Sequence, residues 1–322
     1  MNKFTSFLAS FMQAYVSYRK TSGRWNESYE TNLLLFDQYC KKQYPETVFI
    51  SQEIVDGWCH KRNTETNNSC RSRIRVVTSF IQYMRKRGKT DIIGPEIPRK
   101  ERSTYIPHSF TNVELRDFFY ACDSLPSAPY TSEQYSRKIS IPVFFRLLYS
   151  SGIRTNEARM LRIEDVDLCQ GILNIRYSKG PAQHYVVLHD SMLELLKTYD
   201  KAIRKQYSHR TYFFPAKGDS FHTKKWVQTN FQKIWNKYNS SHATAYALRH
   251  HYATENINRW TDEGFGFDAK LLYLSKSMGH STLESTKYYY SLVPGMAEIL
   301  KEKTGVDFEN IIPEVNYEES NE

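Results

Sequence analysis

Between Thr244 and Ser291 the chain carries side chains suited to attack on a phosphate. Ala245-Tyr246-Ala247-Leu248-Arg249-His250-His251 sets an arginine among a phenol and two imidazoles, and Met278-Gly279-His280 puts a histidine directly after a glycine turn. Tyr288-Tyr289-Tyr290 follows, with Tyr289 nine residues beyond His280. A guanidinium offers phosphate oxygens a permanent charge on planar donors, an imidazole can donate to them, and a phenol oxygen can attack phosphorus. Consecutive tyrosines on a helix step round its axis by about 100° each, so only one can point into a given site. Each of these residue types also occurs in cores, satisfied by a hydrogen bond, and the stretch alone does not choose.

The elements that must position these groups are legible around them. Thr244 reads as the cap of a helix on which Tyr246, Arg249, His250 and Ala253 share one face. Ser281-Thr282-Leu283-Glu284 has the capping-box spacing that opens a helix bearing the tyrosines, and Gly264-Phe265-Gly266 reads as a surface segment within Arg259 to Lys276. Upstream, Ile141 to Ser150 is apolar enough for a buried helix, ending at Ser151-Gly152-Ile153-Arg154. Thr155 is the expected cap of a helix over 156–161, which also holds Glu157, and Glu164-Asp165-Val166-Asp167 reads as an acidic turn. The period then changes to two: Leu173, Ile175 and Tyr177 alternate with polar residues, His184-Tyr185-Val186-Val187-Leu188 is a second strand, and Lys179-Gly180-Pro181-Ala182-Gln183 turns between them. A hairpin in a helical domain therefore carries a lysine at its tip, a residue common in surface turns. Beyond it, 191–207 is an amphipathic helix and Phe213-Phe214-Pro215 a short buried segment. Thr223 opens a helix whose core stripe is Trp226, Val227, Phe231, Ile234, Trp235 and Tyr238.

The first hundred residues also read as helical. Phe7, Phe11, Ala14, Tyr15 and Tyr18 recur at helical spacing, as do Tyr29, Leu33, Phe36 and Tyr39 after Gly23. From Cys70 to Lys89 an apolar stripe of Ile74, Val77, Ile81 and Met84 is accompanied by seven bases and no acid. Such a helix can pack one face on a core and lay the other along a phosphate backbone, which makes Arg71, Arg73, Arg75, Arg85, Lys86, Arg87 and Lys89 candidate DNA contacts. Gly94, Pro95, Pro98 and Pro107 predict an extended linker over 94–107, whose Arg99 and Lys100 join the same set. The capping box Thr111-Asn112-Val113-Glu114 then opens a new domain.

Charge and composition narrow the class. The 322 residues carry a net charge of +9, with 18 Lys/Arg against 10 Asp/Glu in 1–107, 26 against 19 in 108–304, and six acids without a base in the tail 305–322. A basic surface over both large segments fits a polyanion such as DNA, since each neutralised phosphate releases counterions. With 40% hydrophobic residues, no run of about 18 apolar residues and no export signal at Met1 to Leu8, the expectation is a soluble cytoplasmic protein without a membrane. The five scattered cysteines, Cys40, Cys59, Cys70, Cys122 and Cys169, read as reduced thiols and offer neither a disulfide frame nor a zinc site.

Taken in order, these motifs resemble the tyrosine recombinase, or phage integrase, family. Gly152-Ile153-Arg154-Thr155-Asn156-Glu157 resembles its Gly-hydrophobic-Arg-x-x-Glu pattern, and Lys179-Gly180 its hairpin lysine. Tyr246-Ala247-Leu248-Arg249-His250 resembles its His-x-x-Arg-His pattern, and Met278-Gly279-His280 with Tyr289 its closing Gly-His and nucleophilic tyrosine. Tyr246 stands where the family usually has histidine, and a phenol with a pKa near 10 is a positioning donor and a poor base.

The resemblance implies a mainly α fold with a small β-hairpin. Two domains would form a clamp around DNA: a helical core-binding domain over 1–93 and, past the 94–107 linker, a catalytic domain over 108–304. It leaves no room for a further N-terminal arm-binding domain. It also implies a site-specific recombinase, an integrase of bacterial or phage origin, that needs neither metal, cofactor nor ATP. Arg154 and Arg249 would neutralise the phosphate and Lys179 would protonate the departing 5′ oxygen. His280 and Tyr246 would donate hydrogen bonds, Glu157 and His250 would support from behind, and Tyr289 would form a 3′-phosphotyrosine. Double-stranded recombination sites, a four-way junction and a homo-tetramer assembled on DNA from monomers follow from the resemblance. In that assembly a helix over 296–303 packs on the neighbour, and accessory directionality or DNA-bending proteins have a place. A DNA-binding regulator without chemistry and a type IB topoisomerase are the other classes compatible with these residues.

Overall fold

In the computed structural model, which describes residues 3–23, 25, 27–101, 107–126, 131–176, 183–260, 267–280 and 282–289, the chain divides into two units, 1–104 and 105–322. The division falls inside the proline-rich segment 94–107. Among the described residues no helix is long and apolar enough to cross a membrane.

The first unit is built from helices α1 (Ala9–Thr21), α2 (Glu27–Gln43), α3 (Gln52–Cys59) and α4 (Asn67–Arg85). Thr66 caps α4 by accepting from the Ser69 amide, and Ile74, Val77, Ile81 and Met84 are buried as their spacing predicts. They meet Leu33, Phe36, Ile54, Val55 and Trp58 in one apolar core. On α1 the buried stripe differs from the aromatic one read in sequence: Leu8, Met12, Tyr15 and Val16 are inside, whereas Ala14 and Tyr18 are exposed. Tyr15 is common to both stripes and donates from Oη to Ser79 Oγ (2.9 Å), and Phe7 and Phe11 pack against the core from its edge.

Arg73 corrects an expectation. It is only 4% exposed, pairs with Glu65, and donates to the Trp58 and His60 carbonyls, so it fastens α4 to the end of α3 and does not face outward. The cause is register, since Arg73 precedes Ile74 on the side that turns toward the core. The hydrogen bond from its guanidinium holds the Glu65 carboxyl down at about 2. Arg71 is partly committed too, donating to the Pro98 carbonyl at 2.5 Å. The Asn67 and Asn68 side-chain amides donate to the Arg99 and Glu101 carbonyls, which lays 98–101 along the first turns of α4. Arg75, Arg85, Lys86, Arg87, Lys89, Arg99 and Lys100 are exposed, with Arg87 stacked 3.7 Å over the Tyr83 ring.

The second unit is helical around a small sheet. After α5 (Asn112–Asp123), capped by Thr111 and Glu114 as expected, comes α6 (Ser132–Ser151), against which α5, α8 (Asp190–Arg204) and α10 (Ala247–Trp260) pack. Its C-cap, Gly152, takes a left-handed φ of 64°, and any Cβ there would sit inside the Tyr252 ring. α7 (Thr155–Arg159) begins one residue earlier than expected: Arg154 is its N-cap residue, and the Glu157 carboxylate, not Thr155, accepts from the Arg154 amide (2.7 Å).

The hairpin β2 (Ile172–Ile175) and β3 (His184–Val187) is antiparallel with Ile175 opposite His184. A third strand, β1 (Val166–Asp167), lies on its other side, where sequence had shown only an acidic turn. Tyr177 and the turn with Lys179 lie outside the described residues. The chain continues through α8 (Asp190–Arg204), a short pair β4 (Pro215–Ala216) and β5 (Ser220–Phe221), α9 (Lys224–Trp235), α10 (Ala247–Trp260), α11 (Phe267–Ser277) and α12 (Glu284–Lys287). Phe118, Phe144, Phe145, Phe213, Phe214, Phe231 and Trp235 fill the core between them. The spans with Gly264-Phe265-Gly266, Ser281, Tyr290 and everything after it are outside the described residues.

Candidate active site

Arg249 sits on the first turns of α10 and is 2% exposed. A buried guanidinium must find acceptors, and three of its N–H groups have them: Nη1 donates to the Gly152 carbonyl (2.6 Å), and Nη2 to the Met278 carbonyl (2.8 Å) and to His280 Nε2 (2.9 Å). Its Nε is buried without a hydrogen-bond partner. Arg154 reaches the same turn from the end of α6, donating from Nη2 to the Gly279 carbonyl (2.9 Å) and from Nη1 to Glu157 Oε1 (2.6 Å). Glu157 is buried, so its carboxylate fixes both the backbone and the guanidinium of Arg154.

Two arginines thus hold successive carbonyls of one glycine turn. Gly279 is required there on two counts: its φ is 61°, and a Cβ would lie 2.5 Å from the His184 ring. Burial, then the charge of Arg154, pull the Arg249 guanidinium down from its ordinary value. Two like charges with a single carboxylate between them leave an excess of positive potential, which an anion would relieve.

His280 hangs from this turn. A guanidinium can only donate, so Nε2 is the acceptor toward Arg249 and the ring proton is on Nδ1, which donates to Thr286 Oγ1 at 2.6 Å. Burial, reinforced by Arg249 and Arg154, pushes His280 down to about 4, so the ring is neutral at pH 7. The Tyr289 ring stacks on it at 6.1 Å with an interplanar angle of 11°. Tyr289 is 3% exposed, and burial pushes its phenol up to about 12 against the opposing pull of Arg249. The helix expected to carry the tyrosines is a single turn, α12, and Tyr288 and Tyr289 lie in the tighter 3-10 turn that follows it. Of the two described tyrosines, Tyr289 turns inward and Tyr288 is exposed.

The structure therefore brings Arg154, Glu157, Arg249, His280 and Tyr289 together. His250 is beside them, its ring 5.5 Å from that of Tyr289 and its Nδ1 buried without a partner. Tyr246 differs from expectation, because α10 starts at Ala247 and Tyr246 stands in the preceding turn, 43% exposed, with its ring edge-on to His250 at 5.0 Å. Lys179 lies outside the described residues.

Sequence reading missed two neighbours. His184, the first residue of β3, is buried against Gly279, and the alternation of the hairpin could have placed it inward with Val186. Thr286, fully buried under His280, gave no signal beyond its position on a short polar helix. Among the described residues, no three His, Cys, Asp or Glu side chains are grouped to hold a metal ion.

The buried histidines make the fold acid-sensitive. Burial pushes His222, His250 and His280 each down to about 4, with Arg249 adding to the last two. Unfolded histidine titrates near 6.5, so as pH falls below that value the unfolded chain takes up protons that the folded chain refuses. Stability from these neutral rings is complete above about pH 6.5 and is lost toward pH 4. Thermal unfolding should show a lower midpoint at pH 5 than at pH 7.5; equal midpoints would contradict these shifts.

The sequence model described as "Phage integrase family" matches residues 115–294. A tyrosine recombinase of Agathobacter rectalis is 21% identical over 299 residues, covering 90% of this chain and 92% of the relative. A tyrosine recombinase XerD of Vibrio vulnificus is 21% identical over 296 residues, covering 88% and 90%. Among solved structures, the Tn1549 transposon integrase in complex with transposon right end DNA superposes with a TM-score of 0.61 at 13% identity, covering 92% of this chain and 99% of that one. At that identity the likeness speaks for the fold.

Proposed function

Because the chain belongs to the phage integrase family, whose members are DNA strand-transferring enzymes, we propose that it is a site-specific recombinase that cuts and rejoins DNA through Tyr289. The observation that carries this reading is the convergence of Arg154 and Arg249 on the turn beside the buried Tyr289. A phosphodiester resists attack because its anionic oxygens repel the nucleophile and charge builds up in the transition state. Two fixed guanidiniums offset that charge without reorganising, as a metal ion does in other phosphoryl-transfer sites.

In this reading the Tyr289 oxygen attacks phosphorus in line, the phosphorus–oxygen bond to the 5′ side breaks, and a 3′-phosphotyrosine and a free 5′ hydroxyl result. His280 and Tyr246 hold the non-bridging oxygens. Lys179 delivers the proton to the departing oxygen; support for it is that the loop carrying it enters β3 at His184, whose ring lies against Gly279. The phosphotyrosine conserves the bond energy, so a 5′ hydroxyl from a partner duplex can reverse the step, and paired exchanges pass through a four-way junction. Such pairing calls for two duplexes and a homo-tetramer on DNA. The first unit serves as core-binding domain, with Arg75, Arg85, Lys86, Arg87, Lys89, Arg99 and Lys100 exposed toward phosphates and Arg73 withdrawn from that set.

The test is a nicked duplex built around the cleavage position mapped on DNA flanking the gene. In EDTA and without ATP the protein should become covalently attached to the 3′ side, and junctions should form only when two sites are present. Absence of an adduct on that duplex would remove the recombinase reading, and relaxation without junctions would favour a topoisomerase.

A further inference from the structure

His280 faces two neighbours with opposite demands. Arg249 can only donate, so in the DNA-free protein Nε2 must be unprotonated, and Nδ1–H is spent on Thr286 Oγ1. To hold a non-bridging phosphate oxygen through Nε2, as proposed above, the same ring must carry its proton on Nε2. The ring is neutral at pH 7, so Nδ1 must then become an acceptor. Thr286 is 0% exposed and its hydroxyl already lies on Nδ1, so it is the group placed to supply the donor. A hydroxyl is the one small uncharged group that can do both, accepting in one state and donating in the other by rotating a single hydrogen.

We infer that Thr286 is a positioning residue that carries His280 between two tautomers, accepting from Nδ1–H before DNA binds and donating to Nδ1 once a phosphate oxygen occupies the Nε2 side. The exchange balances: Arg249 turns its N–H from Nε2 to the anion, the ring gives its Nδ1 proton to water and takes one from water at Nε2, and the Thr286 hydroxyl reverses. The imidazole stays neutral throughout, which matters beside two guanidiniums that already repel. The hydroxyl thereby couples the arrival of the phosphate to the readiness of the imidazole. This inference rests on the strand-transfer reading of the site.

The test compares Thr286→Val, which keeps the shape and removes the hydroxyl, with Thr286→Ser, which keeps the hydroxyl. Single-turnover adduct formation on the nicked duplex is followed from pH 5.5 to pH 9. Thr286→Val should be slower by roughly 10- to 100-fold at neutral pH, the loss typical of removing an orienting hydrogen bond. It should recover part of its rate as pH falls, because a doubly protonated ring can donate from Nε2 without a tautomer change. Thr286→Ser should restore the rate and the wild-type profile. A Thr286→Val enzyme within twofold of wild type throughout, or a Thr286→Ser enzyme as slow as Thr286→Val, would overturn the inference.

Should the valine variant not fold, nitrogen-15 spectra of wild-type His280 decide: the proton should be on Nδ1 in the free protein and on Nε2 with DNA, and an unchanged tautomer would overturn it. Failure of the strand-transfer reading is distinguishable, because the wild-type protein itself would then form no adduct.

Discussion

Replacing Tyr289 with phenylalanine is expected to abolish covalent attachment to DNA, by a factor on the order of 10⁴ or more, as removal of a covalent nucleophile does. Binding to the same duplex should persist, because phenylalanine keeps the ring that stacks on His280 and packs beside His250. The phenol is buried with its pKa pushed up to about 12, so little of the reactive anion exists in the resting protein. The group that pulls its pKa down, and so favours the reactive anion, is Arg249. Tyr288→Phe should form the adduct to within a few-fold of wild type, since Tyr288 is exposed in the same 3-10 turn. A Tyr289→Phe protein that still attached would show that a neighbouring tyrosine carries the chemistry.

Arg249→Lys should be the next most damaging change. A lysine keeps the charge but cannot serve the Gly152 carbonyl, the Met278 carbonyl and His280 Nε2 together, because those acceptors are spread along a planar fork. Loss of a preorganised donor from the transition state is expected to slow adduct formation by about 10²–10³-fold. A buried carbonyl left without its donor costs about 1–3 kcal/mol, so the melting midpoint should fall as well. A variant that melts lower yet cleaves at the wild-type rate would leave Arg249 as a strut between α6, α10 and the histidine turn, and nothing more.

Much of this site can be read from residue order. The Gly-Ile-Arg context of Arg154, the Leu-Arg-His context of Arg249 and the nine-residue interval from His280 to Tyr289 are local patterns, and local patterns survive translation into structure. So do the α4 stripe and the inward alternation of Leu173 and Ile175 on β2, each fixed by its own period.

What escaped sequence reading depends on contacts between distant segments. Arg73 looks like its basic neighbours until Glu65 and two carbonyls at the end of α3 meet it. Thr286 looks like filler until His280 lies above it, and Tyr246 shares a helical face with Arg249 only if the helix starts one residue earlier than it does. Sequence shows Gly152 at a helix end and Gly279 in a turn, but each is also where a ring, Tyr252 or His184, presses against the backbone.

The most direct test of the central assignment is to digest the trapped protein–DNA adduct and map the modified peptide by mass spectrometry. The account predicts a nucleotide on Tyr289 alone. A nucleotide on Tyr288, Tyr290 or any other residue would contradict it.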